Sequence, residues 1–239
     1  MKILVIDVGG THVKLLATGQ ETVRKIDSGP SMTAEKMVRD VKELAADWEH
    51  DVISLGYPSF AFRGRPVCEP ANVGDGWVGF DFEKAFGCPV RLVNDAAMQA
   101  VGSYEGGRML FLGLGTGLGA AAVMNGVLEP LELAHLTYKK GKSFEDFVGL
   151  RGLEKLGKKT WRSYVDEIAE QLKRALDVEH VVIGGGNARL LKELPAGARL
   201  GNNEHAFIGG YRMWESCEWS PTGQIIIVEE SWKDGKKDV

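Results

Sequence analysis

Residues 6–16 read IDVGGTHVKLL: the tail of an apolar run, an acid, two glycines, a hydroxyl, then a second apolar run. The aliphatic residues from Lys2 to Val8 predict a buried strand, and HVKLLAT predicts its antiparallel partner. Gly9 and Gly10 supply a bend that residues carrying a Cβ fit poorly. The hairpin leaves Asp7 at the end of a buried strand, where an acid is costly unless it is paired, hydrogen-bonded or close to a cation. Two readings of Asp7 stand: it accepts backbone N–H groups inside its own hairpin, or it orients a Mg²⁺ that bridges phosphate oxygens, usually through water.

A second stretch echoes the first. Residues 109–128, MLFLGLGTGLGAAAVMNGVL, again read as strand, glycine hairpin and strand. Between the two lie a helix with Thr33 at its N-cap (TAEKMVRDVKELAADWE), strands DVISLGYP and PVRLVND, and a helix AAMQAVGSYEG. After the second hairpin come a mainly helical span from Phe144 to Leu176, a strand VEHVVIGGG that ends in glycines, and a helix NARLLKEL. Strands alternating with helices predict an α/β protein with a mostly parallel sheet. The echo predicts two lobes, residues 1–106 and 107–239.

Composition bounds the function classes. The 239 residues are 44% hydrophobic and 26% charged, as expected of a soluble globular protein. No apolar stretch reaches the roughly 20 residues of a membrane helix, and the first residues lack a signal-peptide layout, so the cytoplasm is the expected location and no membrane partner is expected. Cys68, Cys88 and Cys217 are far apart and odd in number, which suits reduced structural cysteines rather than a disulfide framework or a four-cysteine zinc site. A net charge of −4 argues against nucleic acid as the partner of the whole chain.

Glycine hairpins present backbone N–H groups to an anion without side chains in the way, and Thr11 and Thr116 add hydroxyl donors. Two such hairpins at equivalent places in echoing halves look like two jaws around one oligophosphate. In LVNDAAMQA, residues 92–100, Asn94 and Asp95 stand where a strand ends and a helix begins. Either they cap the helix, or Asp95, at the carboxyl end of a strand in an open sheet, takes a proton from a substrate hydroxyl.

IDVGGTHVK, ANVGDGWVGFDF, LVNDAAM, LGLGTGLGAAAVMNG, LELAHL and VVIGGGNA, in this order, resemble the ROK group of sugar kinases, and within it the polyphosphate glucokinases. The resemblance implies two ribonuclease-H-like α/β lobes of the actin-like, hexokinase-like fold, with the active site in the cleft between them. It implies a kinase that moves a phosphoryl group from ATP or polyphosphate to a hexose, glucose 6-OH first, with Mg²⁺ as cofactor and a homodimer as assembly. Asp7, Gly9, Gly10, Thr11 and Lys14 match the family's first phosphate motif, and Gly115, Thr116 and Gly117 the second. Asp95 matches the catalytic base and Asn94 a sugar ligand; Glu132 and His135 match an acid and imidazole that also contact the sugar, and Glu145 a further sugar-binding acid. Gly184, Gly185, Gly186 and Asn187 match the segment at the adenosine end of the nucleotide.

The departures are equally specific. No cysteine follows His135 until Cys217, so the zinc element of many relatives is not expected here, and His135 is either a sugar contact or a core histidine. Ala134 stands where the family has glycine, and Ser59 replaces the glycine of the sugar-side loop. Both add bulk near the sugar and bear on which sugar is taken, so a different hexose or an amino sugar is an alternative acceptor. Leu136 to Arg162 carries eight Lys or Arg against three acids, +5, leaving −9 for the rest of the chain. Such a segment is either a guide for polyphosphate or a solvated helical face.

Rival classes are weaker. A sugar-responsive repressor would need a DNA-reading module, for which no room is expected ahead of Asp7. A non-catalytic sugar or nucleotide sensor would need no base at Asp95, and an actin-like or chaperone ATPase would need a longer chain. His12 and the segment after Trp214, with its hairpin signal SPTGQ and strand-like IIIVEE, have no assigned role.

Overall fold

Two sheets carry the chain, and two helices lie between them. The computed structural model describes residues 1–202 and 204–228. In chain order the first half forms β1 (Ile3–Val8), β2 (His12–Ala17), β3 (Arg24–Asp27), α1 (Ala34–Leu44), β4 (Val52–Tyr57), β5 (Ala61–Phe62), β6 (Arg65–Pro66), α2 (Phe82–Phe86), β7 (Val90–Asn94) and α3 (Asp95–Ser103). Its sheet has the order β3-β2-β1-β4-β7, antiparallel through β1 and β2 and parallel from β1 to β7. Thr33 caps α1, its side chain accepting from Lys36 N–H.

The second half forms β8 (Arg108–Leu114), β9 (Leu118–Met124), β10 (Val127–Leu131), β11 (Thr137–Lys139), β12 (Lys142–Ser143), α4 (Glu145–Val148), α5 (Leu150–Ala175), β13 (His180–Gly184), β14 (Ala198–Leu200), α6 (His205–Glu215), β15 (Cys217–Trp219) and β16 (Ile225–Ile227). Its sheet runs β14-β13-β8-β9-β10-β16-β15. The expected C-terminal hairpin forms, and β16 pairs with β10, adding two strands to the sheet edge. The last two residues of IIIVEE lie outside the described residues.

The layering follows from which faces are apolar. One cluster joins the outer face of the first sheet to α1 through Met37, Trp48 and Trp77, and another joins the second sheet to α5 through Trp161 and Ile168. The third lies between the sheets, where Val5, Phe111 and Val182 meet α3 and α6. Helix α6 comes from the second half yet rests on the first sheet: Ser54 Oγ donates to the Gly210 carbonyl at 2.5 Å, and Gly210 abuts Val5. Arg212 Nη1 donates to the carbonyls of Val101, Gly102 and Tyr104 at 2.9, 3.2 and 3.1 Å, tying α6 to the C-terminal end of α3.

The two large sheets are mixed rather than mostly parallel: β1-β4-β7 and β14-β13-β8 pair in parallel, while the glycine hairpins and the strands beyond them pair antiparallel. Two further elements depart from expectation. NARLLKEL is not a helix; it makes one 3₁₀ turn at Ala188–Leu190 and is extended at Leu191. A segment this short gains too little from helical hydrogen bonds alone, and Pro195 disfavours helical geometry just before it. The helical span 144–176 is broken at Gly157, whose φ of 73° interrupts α5. No helix among the described residues is long and apolar enough to cross a membrane.

Candidate active site

The first turn of α3 is where the two glycine hairpins converge. On the first sheet, Asp7 stands in register with Lys14 of β2 on one side and Gly56 of β4 on the other. Lys14 Nζ donates to Asp7 Oδ2 at 3.3 Å, so a side-chain cation partners this 6% exposed acid. Gly56 matters because a Cβ there would sit 2.5 Å from Met98 Cε and 3.6 Å from Asp7 Oδ1. In the turn itself, Gly9 N–H donates to the His12 carbonyl at 2.9 Å, and Gly10 lies under the Asn72 side chain.

Three distant stretches build the second hairpin. Gly115 N–H closes the turn on the Gly117 carbonyl at 3.1 Å. Asn187 latches it, with Nδ2 donating to the Gly115 carbonyl at 3.0 Å and N–H to the Leu114 carbonyl at 2.9 Å. Gly185, at φ 82°, permits that approach, since a Cβ would lie 2.5 Å from the Leu114 carbonyl oxygen. Glu145 Oε2 accepts from Leu118 N–H at 3.1 Å in space left by Gly117, and Arg151 approaches its other oxygen at 3.7 Å. The N–H groups of Gly9 and Gly115 are thus spent within their own turns.

Asn94 does what its position at a helix start dictates. Its Oδ1 accepts from Ala96 and Ala97 N–H at 2.9 and 3.2 Å, while Nδ2 donates to the Ser59 carbonyl at 3.1 Å and ties the 58–66 loop to α3. Asp95 follows, with Oδ1 accepting from Ala96 N–H at 2.8 Å. The other side of this turn meets the second sheet: a Cβ on Gly119 would lie 2.9 Å from Ala96 Cβ.

The electrostatics single out Asp95. Burial first, then the charges of Asp7 and Glu132, push its carboxyl up to about 7, against the opposing pull of the Ala96 N–H and Lys14. A helix N-terminus ordinarily favours a carboxylate, so desolvation outweighs the dipole here. Glu132, on the chain between β10 and β11, is also raised, by burial and then by Glu145, with His135 opposing. Acids from both halves therefore share one field. His135 is exposed, which removes its reading as a core histidine. His12 faces Asp27 across β2 and β3 at 3.7 Å.

Sequence reasoning did not single out Gly56, Gly119 or Asn72, the residues that let the parts meet. Their only signal is small size or a place in ANVGDG, and a close approach between distant segments leaves no local pattern. Of the basic segment, Lys139 pairs with Glu167 and Arg162 donates to the Leu190 carbonyl at 2.6 Å, whereas Lys155, Lys158 and Lys159 are exposed on α5.

Comparison with known proteins bears on the family and the fold. The profile of the ROK family matches residues 3–129, more than half of the chain. A polyphosphate glucokinase of Mycobacterium leprae (strain TN) is 27% identical over 208 residues, covering 77% of this chain and 63% of its own length. A glucokinase of Pyrobaculum calidifontis is 28% identical over 140 residues, covering 53% and 45%. The chain thus spans under two thirds of these relatives. Among solved structures, an inorganic polyphosphate/ATP-glucomannokinase from Arthrobacter sp. strain KM superposes with a TM-score of 0.76 at 21% identity, over 87% of this chain and 96% of that one. A ROK family glucokinase from Streptomyces griseus, in complex with glucose and AMPPNP, superposes with a TM-score of 0.69 at 14% identity, over 87% and 97%. The fold is the actin-like, hexokinase-like fold of these kinases, and the chain belongs to the ROK family.

Proposed function

We propose that the protein is a sugar kinase that transfers the terminal phosphoryl group of ATP or polyphosphate to a hexose hydroxyl, glucose 6-OH first. The observation that carries this reading is the placement of Asp95, at the convergence of both glycine hairpins, with a carboxyl that titrates near neutrality. An acid of that strength accepts a hydroxyl proton as the oxygen attacks, a contribution typically worth about 10²- to 10⁴-fold. Gly10, Thr11, Thr116 and Gly117 cradle the donor phosphates, with Gly185, Gly186 and Asn187 at its far end. Lys14, bound to Asp7, adds a positive charge beside them. Asn94, Ser59, Glu132 and His135 line the acceptor side, whereas Glu145, matched in the sequence to a sugar-binding acid, is engaged by Leu118 N–H beside Gly117 and braces the second hairpin.

No group of three His, Cys, Asp or Glu among the described residues could hold a metal ion by itself. The donor set suits a cation held by phosphates and water with Asp7 as its outer carboxylate. When bound, Mg²⁺ neutralises charge spread over the transferring group. What this chain does is align the two oxygens, give Asp95 a carboxyl basic enough to take the hydroxyl proton, and exclude water.

A coupled assay over hexoses and amino sugars, with ATP and with polyphosphate, tests the reading. Sugar-dependent consumption of one donor, lost in Asp95→Ala, is expected. Phosphorylation of no sugar with either donor overturns it, and an Asp95→Ala variant near the parent rate removes the base.

A further inference from the structure

After α6 the chain returns to the second sheet as β15 and β16, joined by a turn in which Ser220 N–H donates to the Gln224 carbonyl at 2.8 Å and Gly223 N–H to the Ser220 carbonyl at 2.9 Å. The hairpin is fixed to that sheet by β16, whose Ile225 and Ile226 pair with Leu128 and Val127 of β10. Its tip touches the other half of the molecule. Gly223 lies against the aliphatic stem of Arg63, with no room for a Cβ between them, and a Cβ on Gly64 would sit 3.6 Å from the Trp219 ring.

Arg63 and Gly64 are the two tip residues between β5 and β6, with φ of 50° and 75°. Two positive φ angles define a tight hairpin turn in which Asn, Asp or Gly is the usual first residue. An arginine held there against its backbone preference is a local outlier, which points to a use for its side chain. That side chain reaches Gly223, and its guanidinium lies 5.1 Å over the Phe62 ring.

Trp219 of the hairpin, together with the end of α6, also meets the strand that leads into the proposed base. The guanidinium of Arg91, on β7, lies 4.1 Å over Trp214 and 5.5 Å over Trp219 and donates to the Met213 carbonyl. Three residues on, Asn94 donates to the Ser59 carbonyl, at the start of the 58–66 loop and just ahead of β5. The loop tip and β7 thus meet Trp219 and its neighbours directly, and the loop base is tied to the end of β7 through Asn94.

We infer that the β15–β16 hairpin is an acceptor-side clasp: through Trp219 and Gly223 it holds the 58–66 loop against the second sheet, so that Ser59 and Asn94 are in place when the sugar arrives. Arg63 and Trp219 are then positioning residues for the acceptor and indifferent to the donor. The inference rests on the kinase reading for what the loop binds, though not for the clasp itself.

The test uses the full chain with Arg63→Gly and Trp219→Leu. Arg63→Gly relieves the positive φ while removing the contact with Gly223, so it keeps the turn even if Trp219→Leu weakens the fold. Amide hydrogen exchange over residues 58–67 reports the clasp without any activity, with exchange across β1 as the reference for overall folding. The KM for glucose and for the donor are measured separately. Expected in both variants is exchange at 58–67 faster by about tenfold with β1 unchanged, and a glucose KM raised several-fold while the donor KM stays within about twofold. Unchanged exchange at 58–67 in Arg63→Gly overturns the clasp whether or not the protein phosphorylates sugar. Faster exchange with an unaltered glucose KM overturns its acceptor role. A parent protein that phosphorylates no sugar sinks the kinase reading and the acceptor role with it, while the exchange rates still decide the clasp.

Discussion

Gly102 of α3 and Gly209 of α6 lie backbone to backbone where the two central helices cross: a Cβ on Gly102 would meet the His205 carbonyl, and one on Gly209 the Met98 carbonyl. The contact explains how a helix from the second half reaches the first sheet. With a side chain at either position, α6 would be held away from α3, and Gly210 would lose its seat against Val5.

Gly209→Ala is therefore expected to be among the most damaging single methyl additions. Overpacking costs about 1–3 kcal/mol where side chains can yield. Here the obstacles are carbonyl oxygens of a helix, so the upper end applies, with a drop in Tm of about 5 °C or more for a domain of this size. Thermal unfolding followed by circular dichroism measures it; a Tm within one degree of the parent contradicts the crossing.

Asp95 makes a prediction about pH. Its carboxyl is raised from an ordinary value of 3.8 to about 7, so the fold disfavours the ionised form. The stability tied to its proton is fully present below the ordinary value and is lost as pH rises through about 7. Asp95→Asn, neutral at every pH, should gain stability over the parent progressively across that window. Turnover runs the other way, because a base must be ionised: kcat/KM of the parent should rise through pH 7, and Asp95→Asn should lose both the limb and the rate. Chemical denaturation and pH–rate profiles on the two proteins decide both parts.

Much of this was legible in the residues. The two glycine hairpins, the capped α1, the strand-to-helix step at Asn94-Asp95 and the terminal SPTGQ hairpin all carry local signals, and each forms. What could not be read is long-range approach. Nothing near Gly119 says that Ala96 will rest on it, and nothing near Gly117 says that Glu145 will fill its side. NARLLKEL shows the converse: its residues suit a helix, but the segment is short and runs into Pro195, and only one 3₁₀ turn forms. At Asn94 the capping reading is the one the structure shows: Oδ1 caps α3, and the side chain so fixed donates from Nδ2 to the Ser59 loop.

The neighbours of Asp95 should tune the same pH limb in opposite directions. Lys14 holds the Asp95 carboxyl down and Glu132 pushes it up. Lys14→Met should therefore move the limb to higher pH, and Glu132→Gln to lower pH. Lys14→Met should also raise the donor KM, since it removes a cation beside the first hairpin, whereas Glu132→Gln should raise the sugar KM. Profiles of kcat/KM over pH 5 to 9 separate these effects; both limbs shifting the same way would contradict the assigned charges.

The basic face of α5 bears on the donor. Leu150, at its start, donates N–H to the Thr116 carbonyl at 3.1 Å, so the helix begins against the second hairpin, and Lys155, Lys158 and Lys159 stand exposed along it. On the proposed reading a long polyanion threaded into the hairpins would pass within reach of these charges, whereas ATP would reach only as far as the segment near Asn187. The triple variant Lys155→Glu, Lys158→Glu, Lys159→Glu should raise the KM for polyphosphate about tenfold at low salt and leave the KM for ATP within about twofold. Exposed charges are screened over about 10 Å at 0.1 M salt, so the penalty should shrink steadily as salt is added. Equal effects on both donors would place the lysines at the nucleotide instead, and no effect on either would reduce them to a solvated face.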